Sequence, residues 1–364
     1  MRRGGLVAWL AVAACSAATA GSPVPAGAPV IAGSPVIAGS PVIAGSPVIA
    51  GSPGPSVTPL EIEAEGISAL ATSLNGQAVY GIDESQRAIV AIEPFAGGRR
   101  RDVVAPAAEG RPHPVSLAAL PGDIVAVVCR ADDTWSLLTY RTRPGESVDA
   151  AEPLQEVLLG RGDAPGTAAM AVSRTRDWFA VVGLPPSLPP VVRAAFAGPR
   201  VRRHRDEPSS GGSGGRPVAV AVGPADELVT LEASDRKAIA SLVSTGHGGR
   251  ELLRLDTGLA DVRGAAFARD GSSLWVIAGD VGGDGRQPAG LWRLDAVIRE
   301  GSQAVRPTCV VRLADPLAVA AVSDNSLVVV HGTLPRTISR IDMTAGDVAD
   351  VVDPEEERRE EVER

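Results

Sequence analysis

The clearest pattern in the chain is a unit of short apolar runs separated by polar turns, best seen between residues 262 and 295. An apolar run, Arg263–Ala268, is followed by the tight-turn pair Asp270-Gly271 and by a second apolar run, Leu274–Ala278. After a polar, glycine-rich stretch, Gly290–Asp295 alternates apolar and polar residues with the period of a half-buried strand. This order of segments predicts three consecutive antiparallel β-strands.

A fourth strand, at Thr308–Leu313, completes the unit, and four short strands with polar connections are typical of one propeller blade. First strands are predicted near residues 67, 115, 167, 218, 263 and 317, so the period drifts around about 50 residues. One blade cannot bury both faces of its sheet, so the copies must pack around an axis. We therefore predict an all-β propeller of about six four-stranded blades, with five to seven left open because the third and fourth copies are weak.

The best copies share one form: an apolar run, Asn-Gly or Asp-Gly, a second apolar run, a loop, and an alternating run ending in Ile-Asp or Leu-Asp. The form is clearest at Leu74–Ile82, at Arg269–Ala278, and at the pairs Leu294-Asp295 and Ile341-Asp342. It resembles the bacterial YVTN-type and WD40-like propeller repeats over roughly residues 57–352. The resemblance implies a propeller architecture. Because YVTN-type rings include lactonases and lyases, an enzymatic function remains an alternative.

A closed propeller also needs a strand that completes its last blade. Val57–Glu63 is a strand-like piece ahead of the first complete blade. In a closed ring, a strand from one terminus often completes the blade made by the other, which removes the open sheet edges. We therefore predict that this piece pairs with Asp347–Val352.

The N-terminal region indicates export. Residues 1–20 have an arginine-positive start, a short apolar core and a small-residue cleavage site at Ala18–Ala20, as a signal segment does. Alternatively, Val12–Cys15 resembles a bacterial lipobox, in which Cys15 becomes the lipidated N-terminus. Either alternative places the protein outside the cytoplasm, in the periplasm, at the cell envelope or secreted.

Low-complexity sequence flanks the predicted propeller. Residues 21–56 repeat PVIAGS with a proline at every sixth position, which blocks helix and predicts a disordered tether. Residues 353–364 form a charged tail.

Composition narrows the function. The net charge of −8 and an aromatic content of 3% lack the basic surface and the stacking platforms of a nucleic-acid binder. Cys129 and Cys309 fall in different predicted blades, so we expect two buried free thiols rather than a disulfide.

Candidate chemistry is sparse. Gly211–Gly215 matches G-x-S-x-G in letters but lacks the strand and helix that a nucleophile elbow needs, so it is interpreted as linker. No two histidines stand at metal-ligand spacing, so no metal site is predicted. No particular cofactor is indicated.

The propeller topology predicts which residues share a face. We define the upper face as the loops that precede each first strand and those that join second to third strands. Its predicted mouth collects the candidate catalytic residues His113, His331, Asp261 and Asp315, together with Arg216. Its outer loops add acids that, with Arg216, are the candidate binding residues: Asp132, Asp133, Asp280 and Asp284, with Asp83 nearby. The lower face is predicted to be basic, with Arg99, Arg100, Arg101, Arg141 and Arg200 among its residues.

Two hypotheses follow. The favoured one is an exported, non-catalytic scaffold that binds a protein or a cell-envelope polymer through one face, with membrane contact only through the N-terminal lipid. The alternative is a propeller hydrolase or lyase acting at the channel mouth, which requires His113 or His331 to lie near a carboxylate.

We expect the mature protein purified from a bacterial envelope to begin at Gly21 or at a lipid-modified Cys15. Intact-mass spectrometry separates the two outcomes. Lipidation adds the mass of acyl chains to Cys15, whereas cleavage after Ala20 removes Cys15 together with the signal segment. A mature chain that still carries Met1 would contradict the export prediction.

Overall fold

The computed structural model describes residues 54–62, 65–104, 112–142, 152–163, 168–173, 175, 177–197, 200–203, 215–223, 226–234, 237–245, 251–281, 287–299 and 302–343. These residues form β-strands and turns, without an α-helix. In this part of the chain there is accordingly no helix with the length and apolarity needed to cross a bilayer. The predicted signal segment, most of the tether and the charged tail lie outside the described residues.

Twenty-four strands are assigned in the described residues. The first thirteen are β1 (Ser56–Pro59), β2 (Ile67–Thr72), β3 (Val79–Asp83), β4 (Ala88–Glu93), β5 (Arg99–Val104), β6 (His113–Leu120), β7 (Ile124–Ala131), β8 (Thr134–Arg141), β9 (Gln155–Arg161), β10 (Ala169–Val172), β11 (Trp178–Val182), β12 (Val191–Ala197) and β13 (Arg200–Arg203). The others are β14 (Arg216–Val222), β15 (Leu228–Ser234), β16 (Lys237–Thr245), β17 (Glu251–Ala260), β18 (Val262–Phe267), β19 (Leu274–Ala278), β20 (Gly290–Arg299), β21 (Ser302–Arg312), β22 (Ala318–Ala321), β23 (Ser326–His331) and β24 (Thr337–Asp342).

The strands form six antiparallel four-stranded sheets, which confirms the predicted propeller. Blades 1 to 5 are β2–β5, β6–β9, β10–β13, β14–β17 and β18–β21, each in sequence order from the centre outward. Blade 6 has the order β22-β23-β24-β1. The first strands begin within two residues of the predicted positions, because the turn glycines and the apolar runs mark them locally.

The second strand of each blade is buried on both faces, which explains its unbroken apolar sequence. In β19, Leu274, Val276 and Ala278 belong to the core shared with blade 4. The alternate residues Trp275 and Ile277 belong to the core shared with blade 6. The period-2 alternation of a strand therefore distributes its side chains between two interblade cores.

The predicted turn glycines occupy the conformations that glycine adopts readily. Gly76 and Gly271 have φ of 73° and 76° in the turns between first and second strands of blades 1 and 5. A Cβ at Gly76 would also collide with the carbonyl oxygen of Val322 in blade 6. Gly76 thus allows both its hairpin turn and the approach of a neighbouring blade, whereas Gly271 allows its hairpin turn.

The N-terminal strand completes blade 6, as predicted, but its partner differs from the predicted one. Ser56–Pro59 pairs with Thr337–Asp342 from Ser56↔Asp342 to Pro59↔Ser339. The backbone N–H of Leu60 continues the ladder to the carbonyl of Ile338 at 2.8 Å. Ser56–Pro59 adds to the outer edge of Thr337–Asp342 and gives blade 6 its fourth strand. The predicted partner Asp347–Val352 lies outside the described residues.

Three arginines strengthen the seam where the last blades meet blade 1. Each donates to a blade 1 carbonyl: Arg336 Nη1 to Ile67 at 2.8 Å, Arg340 Nη1 to Pro94 at 3.2 Å, and Arg269 Nη2 to Leu74 at 2.6 Å. Arg269 lies in blade 5 and also contacts the carbonyl of Val322 in blade 6 at 3.4 Å. The ring is therefore closed by a strand and by side chains that reach across the seam.

Cys129 and Cys309 are both free, as predicted. Cys129 is buried in the core between blades 1 and 2, whereas Cys309 is only half-buried in β21. Burial, reinforced by the negative charge of Glu156, raises the pKa of the Cys129 thiol to about 12. A thiol with so high a pKa is an inert packing group at neutral pH.

We expect Leu60→Asp to lower the free energy of unfolding by about 3 kcal/mol, because it places a charge where an apolar side chain is 7% exposed against the seam core. Val57→Asp, in the strand that directly precedes Leu60 but 41% exposed, should stay within about 0.5 kcal/mol of wild type. Urea denaturation followed by tryptophan fluorescence measures both. Equal stability of the two variants would show that the N-terminal segment does not hold the ring closed.

Candidate functional site

The six innermost strands surround a central channel with two chambers. The upper chamber, toward the upper face, has a volume of about 560 Å³, and the lower one of about 390 Å³. One side chain from each blade borders both chambers: Leu70, Leu117, Met170, Val220, Ala265 and Val319. This apolar waist separates the chambers, so polar chemistry in the channel is confined to its ends.

The polar groups of the upper chamber lie at the starts of first strands and in the loops that join second to third strands. The chamber is lined there by Ser68, Glu84, Ser116, Asp261, Arg263 and Arg336. Asp261 and Asp315, which precede the first strands of blades 5 and 6, have φ of 44° and 40°. Aspartate tolerates this left-handed conformation better than most residues, so backbone geometry as well as charge explains its use there.

The structure brings Asp261 and Asp315 together through Arg263. The guanidinium of Arg263 contacts the Asp261 carboxylate at 2.8 Å through Nη2 and reaches the Asp315 carboxylate through Nη1. Partial burial lowers the pKa of Arg263, but hydrogen bonds and charges from the two carboxylates outweigh it, and the pKa is raised. The arginine stays cationic and joins blade 5 to blade 6.

The two candidate histidines make other contacts. His113 is exposed, and its Nδ1 lies 3.0 Å from the carbonyl of Pro114. His331 is half-buried, and its Nε2 lies 2.9 Å from Ser339 Oγ. Burial lowers the pKa of His331, which favours the neutral form of its ring. Neither histidine lines the upper chamber. The convergence of His113 and His331 with Asp261 and Asp315 stays a prediction.

Of the candidate binding residues, Asp132, Asp133 and Asp280 lie in loops of the upper face, and Arg216 begins β14. Asp132 and Asp280 are exposed, and Asp133 accepts a hydrogen bond from Thr134 at 3.2 Å. Arg216 Nη2 lies 3.4 Å from the carbonyl of Gly183. Asp284 lies outside the described residues, as does the lipidation candidate Cys15.

Upper-face loops brace one another around Asp132 and Asp133. The backbone N–H of Gly162 donates to the Asp133 carbonyl at 2.7 Å, and the Gly162 carbonyl accepts from Trp135 Nε1 at 3.2 Å. From blade 3, Ser187 Oγ donates to the carbonyl of Arg161 at 3.0 Å. The acidic turn is therefore held against a tryptophan and a proline-rich loop, and it presents a defined surface.

Asp83 is buried rather than a solvent-facing loop acid, and its partner Arg100 was predicted on the lower face. Arg100 Nη2 lies 2.7 Å from Asp83 Oδ2, whose side chain is 3% exposed. Burial raises the pKa of Asp83, but hydrogen bonds from Ser85, Arg100 and the backbone of Gln86 together hold it below its usual value. The pair is a structural bridge between two strands.

The lower face carries acidic side chains as well as the predicted arginines. Acids occupy its turns between first and second strands in five blades: Asp123, Asp177, Asp226, Asp270 and Asp324. Asp226 accepts from Trp178 Nε1 at 3.0 Å, so it joins blades 3 and 4.

Sequence reasoning missed Arg263, Arg336 and Ser68 at the upper chamber. Arg263 follows Asp261 at the i+2 spacing of a strand, a local signal that could have identified it. Arg336 lies 269 positions from the carbonyl it contacts, and no local pattern indicates that. Within the described residues no group of three or more His, Cys, Asp or Glu side chains is placed to hold a metal ion.

No protein-family model and no curated protein matches the sequence. Solved structures do match the fold. A glucose dehydrogenase has a TM-score of 0.56 at 14% identity, covering 80% of this chain and 100% of that one. The PQQ-bound aldose sugar dehydrogenase from Streptomyces coelicolor has 0.53 at 15% identity, covering 81% and 100%.

A gluconolactonase from Xanthomonas campestris has a TM-score of 0.51 at 14% identity, covering 80% of this chain and 90% of that one. These likenesses show that the chain shares its overall fold with these proteins. At such identities they show the fold alone, and the site must be argued from the residues of this chain.

We expect Asp83→Asn to lower the free energy of unfolding by about 2 kcal/mol at neutral pH, because it leaves Arg100 without its buried carboxylate. The folded-state pKa lies below the unfolded value of about 3.9. The stabilisation is therefore present above that value and lost as pH falls through the folded pKa. The difference between variant and wild type should shrink below about pH 4, while exposed Asp280→Asn should show none; urea titrations from neutral to acid pH test this.

Proposed function

We propose that this protein is an exported, non-catalytic scaffold that binds a protein or a cell-envelope polymer through the upper face of its ring. The observation that carries the proposal is the division of charge at that face. At the mouth, Arg263 pairs with Asp261 and Asp315 and joins two blades. Farther out, Asp132 and Asp133 occupy a braced turn, where the Asp132 side chain is exposed.

A braced, charged surface suits binding. Loops already held in one arrangement lose little conformational entropy when a partner docks, so the interaction free energy is not offset by ordering. Carboxylates at the rim steer a basic partner and set its orientation. The partner expected here is accordingly a protein or polymer that presents positive charge or hydrogen-bond donors.

The N-terminal sequence supports the rest of the proposal. A signal segment over residues 1–20, or a lipobox ending at Cys15, would deliver the ring outside the cytoplasm, and the PVIAGS repeat of residues 21–56 would separate it from an anchor. We also propose that the repeats belong to the YVTN-type and WD40-like class. The turn glycines Gly76 and Gly271 support that assignment.

The upper chamber supports a second candidate function. Its volume of about 560 Å³ is that of a small-molecule pocket, and Glu84, Asp261, Arg263 and Arg336 line it. A carboxylate there could serve as general base for a hydrolase, and one structural neighbour is a gluconolactonase. The Arg263 network favours the scaffold, because both of its carboxylates are engaged by the guanidinium.

We expect the double variant Asp132→Asn, Asp133→Asn to weaken binding of the captured partner about tenfold, or ~1.4 kcal/mol. Asparagine keeps the left-handed turn at Asp132, where φ is 51°, so charge changes while the backbone does not. The partner is captured on the immobilised mature chain from the envelope fraction, and its affinity is then measured by calorimetry. The matched control is Asp324→Asn, Glu152→Gln, which neutralises two exposed acids on the lower face.

Equal affinity of both double variants would rule out the acidic turn as the contact. The same preparation is assayed for glucono-lactone hydrolysis. Hydrolysis above the uncatalysed rate that is lost in Asp261→Asn would establish the hydrolase in place of the scaffold.

A further inference from the structure

A groove on the lower face, between blades 1 and 2, has features that the scaffold function does not use. It has a volume of about 630 Å³ and touches the lower chamber through Ser73, Leu74 and Ala119. Tyr80 of blade 1 lines it and donates its hydroxyl to Thr142 Oγ1 of blade 2 at 3.2 Å, so one contact joins the two walls. The groove lies at the end of the ring opposite the acidic turn of the upper face.

An exposed aromatic ring borders this groove. Phe95 is 54% exposed, whereas every other aromatic residue in the described ranges is buried or half-buried. The guanidinium of Arg340 lies over its ring, 5.3 Å from the centroid. Arg340 is itself held by Asp342 at 2.8 Å and by the Pro94 carbonyl at 3.2 Å. One ring face is thereby covered, and the ring is fixed with its remaining surface open.

Charged side chains of both signs line the groove beside the Phe95 ring. Glu93, Arg101 and Asp123 line the groove, and none of the three side chains has an ion pair or hydrogen bond with another described residue. Gln77 adds an amide whose oxygen accepts from Asn75 at 3.2 Å. The groove therefore offers carboxylate acceptors, guanidinium donors and an amide donor beside one aromatic platform.

This combination indicates the class of ligand. A purely apolar ligand would leave the two carboxylates and the guanidinium desolvated without partners, which is costly. A simple anion or cation would meet charges of both signs. A sugar satisfies both requirements, because its C–H face packs on an aromatic ring while each hydroxyl both donates to a carboxylate and accepts from a guanidinium. We propose that the groove between blades 1 and 2 binds an oligosaccharide.

The experiment uses the mature wild-type chain and three soluble probes: maltotriose, cellotriose and triacetylchitotriose. Saturation-transfer NMR and calorimetry are run with each trisaccharide at millimolar concentration. We expect one of the three to bind, and Phe95→Ala to weaken that binding at least about tenfold through loss of the stacking platform. Arg101→Gln and Glu93→Gln should each weaken it several-fold.

Leu252→Ala is the matched control, because it removes an exposed apolar side chain (53%) from blade 4, far from the groove, and should leave binding unchanged. Thermal unfolding of each variant checks that the propeller stays folded. We expect it to do so, because the substituted side chains are exposed or half-buried. The upper-face variant Asp132→Asn, Asp133→Asn should also bind the sugar normally, which separates this proposal from the scaffold function. Absence of binding to all three trisaccharides, or binding retained in Phe95→Ala, would overturn the proposal.

Discussion

The fold depends on apolar packing between neighbouring blades. In β11, Phe179 and Val181 enter the core shared with blade 2, while Trp178, Ala180 and Val182 enter the core shared with blade 4. Each sheet is covered by its two neighbours, so no blade has a complete core of its own and stability belongs to the ring. Small aliphatic residues do most of this packing, which is why a chain with 3% aromatic residues can form it.

A ring built in this way is only as stable as its closure. The sixth blade lacks a fourth strand of its own and takes Ser56–Pro59 from the other end of the described chain. Arg269, Arg336 and Arg340 add donors to blade 1 carbonyls along the same seam. Because Ser56–Pro59 continues along the chain into blade 1, the two ends of the described chain meet inside blade 6, where backbone pairing joins them.

Local sequence patterns predicted the architecture, but they did not predict the long-range side-chain contacts. The turn glycines Gly76 and Gly271 and the apolar second strands are marked within a few residues, so strand order and blade number were predictable. The burial of Asp83 was not, because it depends on Arg100, two strands away in the sheet. At the candidate site, Asp261 and Asp315 share the cation of Arg263. The partners of both histidines and the contact of Arg263 with Asp315 depend on side-chain geometry that no local pattern indicates.

The seam also connects architecture to ligand binding. Arg340, which holds the Phe95 ring, lies on the strand that receives the N-terminal strand, and Phe95 lies in blade 1. Arg340 can therefore lie over the Phe95 ring only when blades 6 and 1 meet. A ligand that binds the closed ring and not the open one stabilises closure by mass action. Recognition at the groove and the integrity of the ring are, on this geometry, two consequences of one set of contacts.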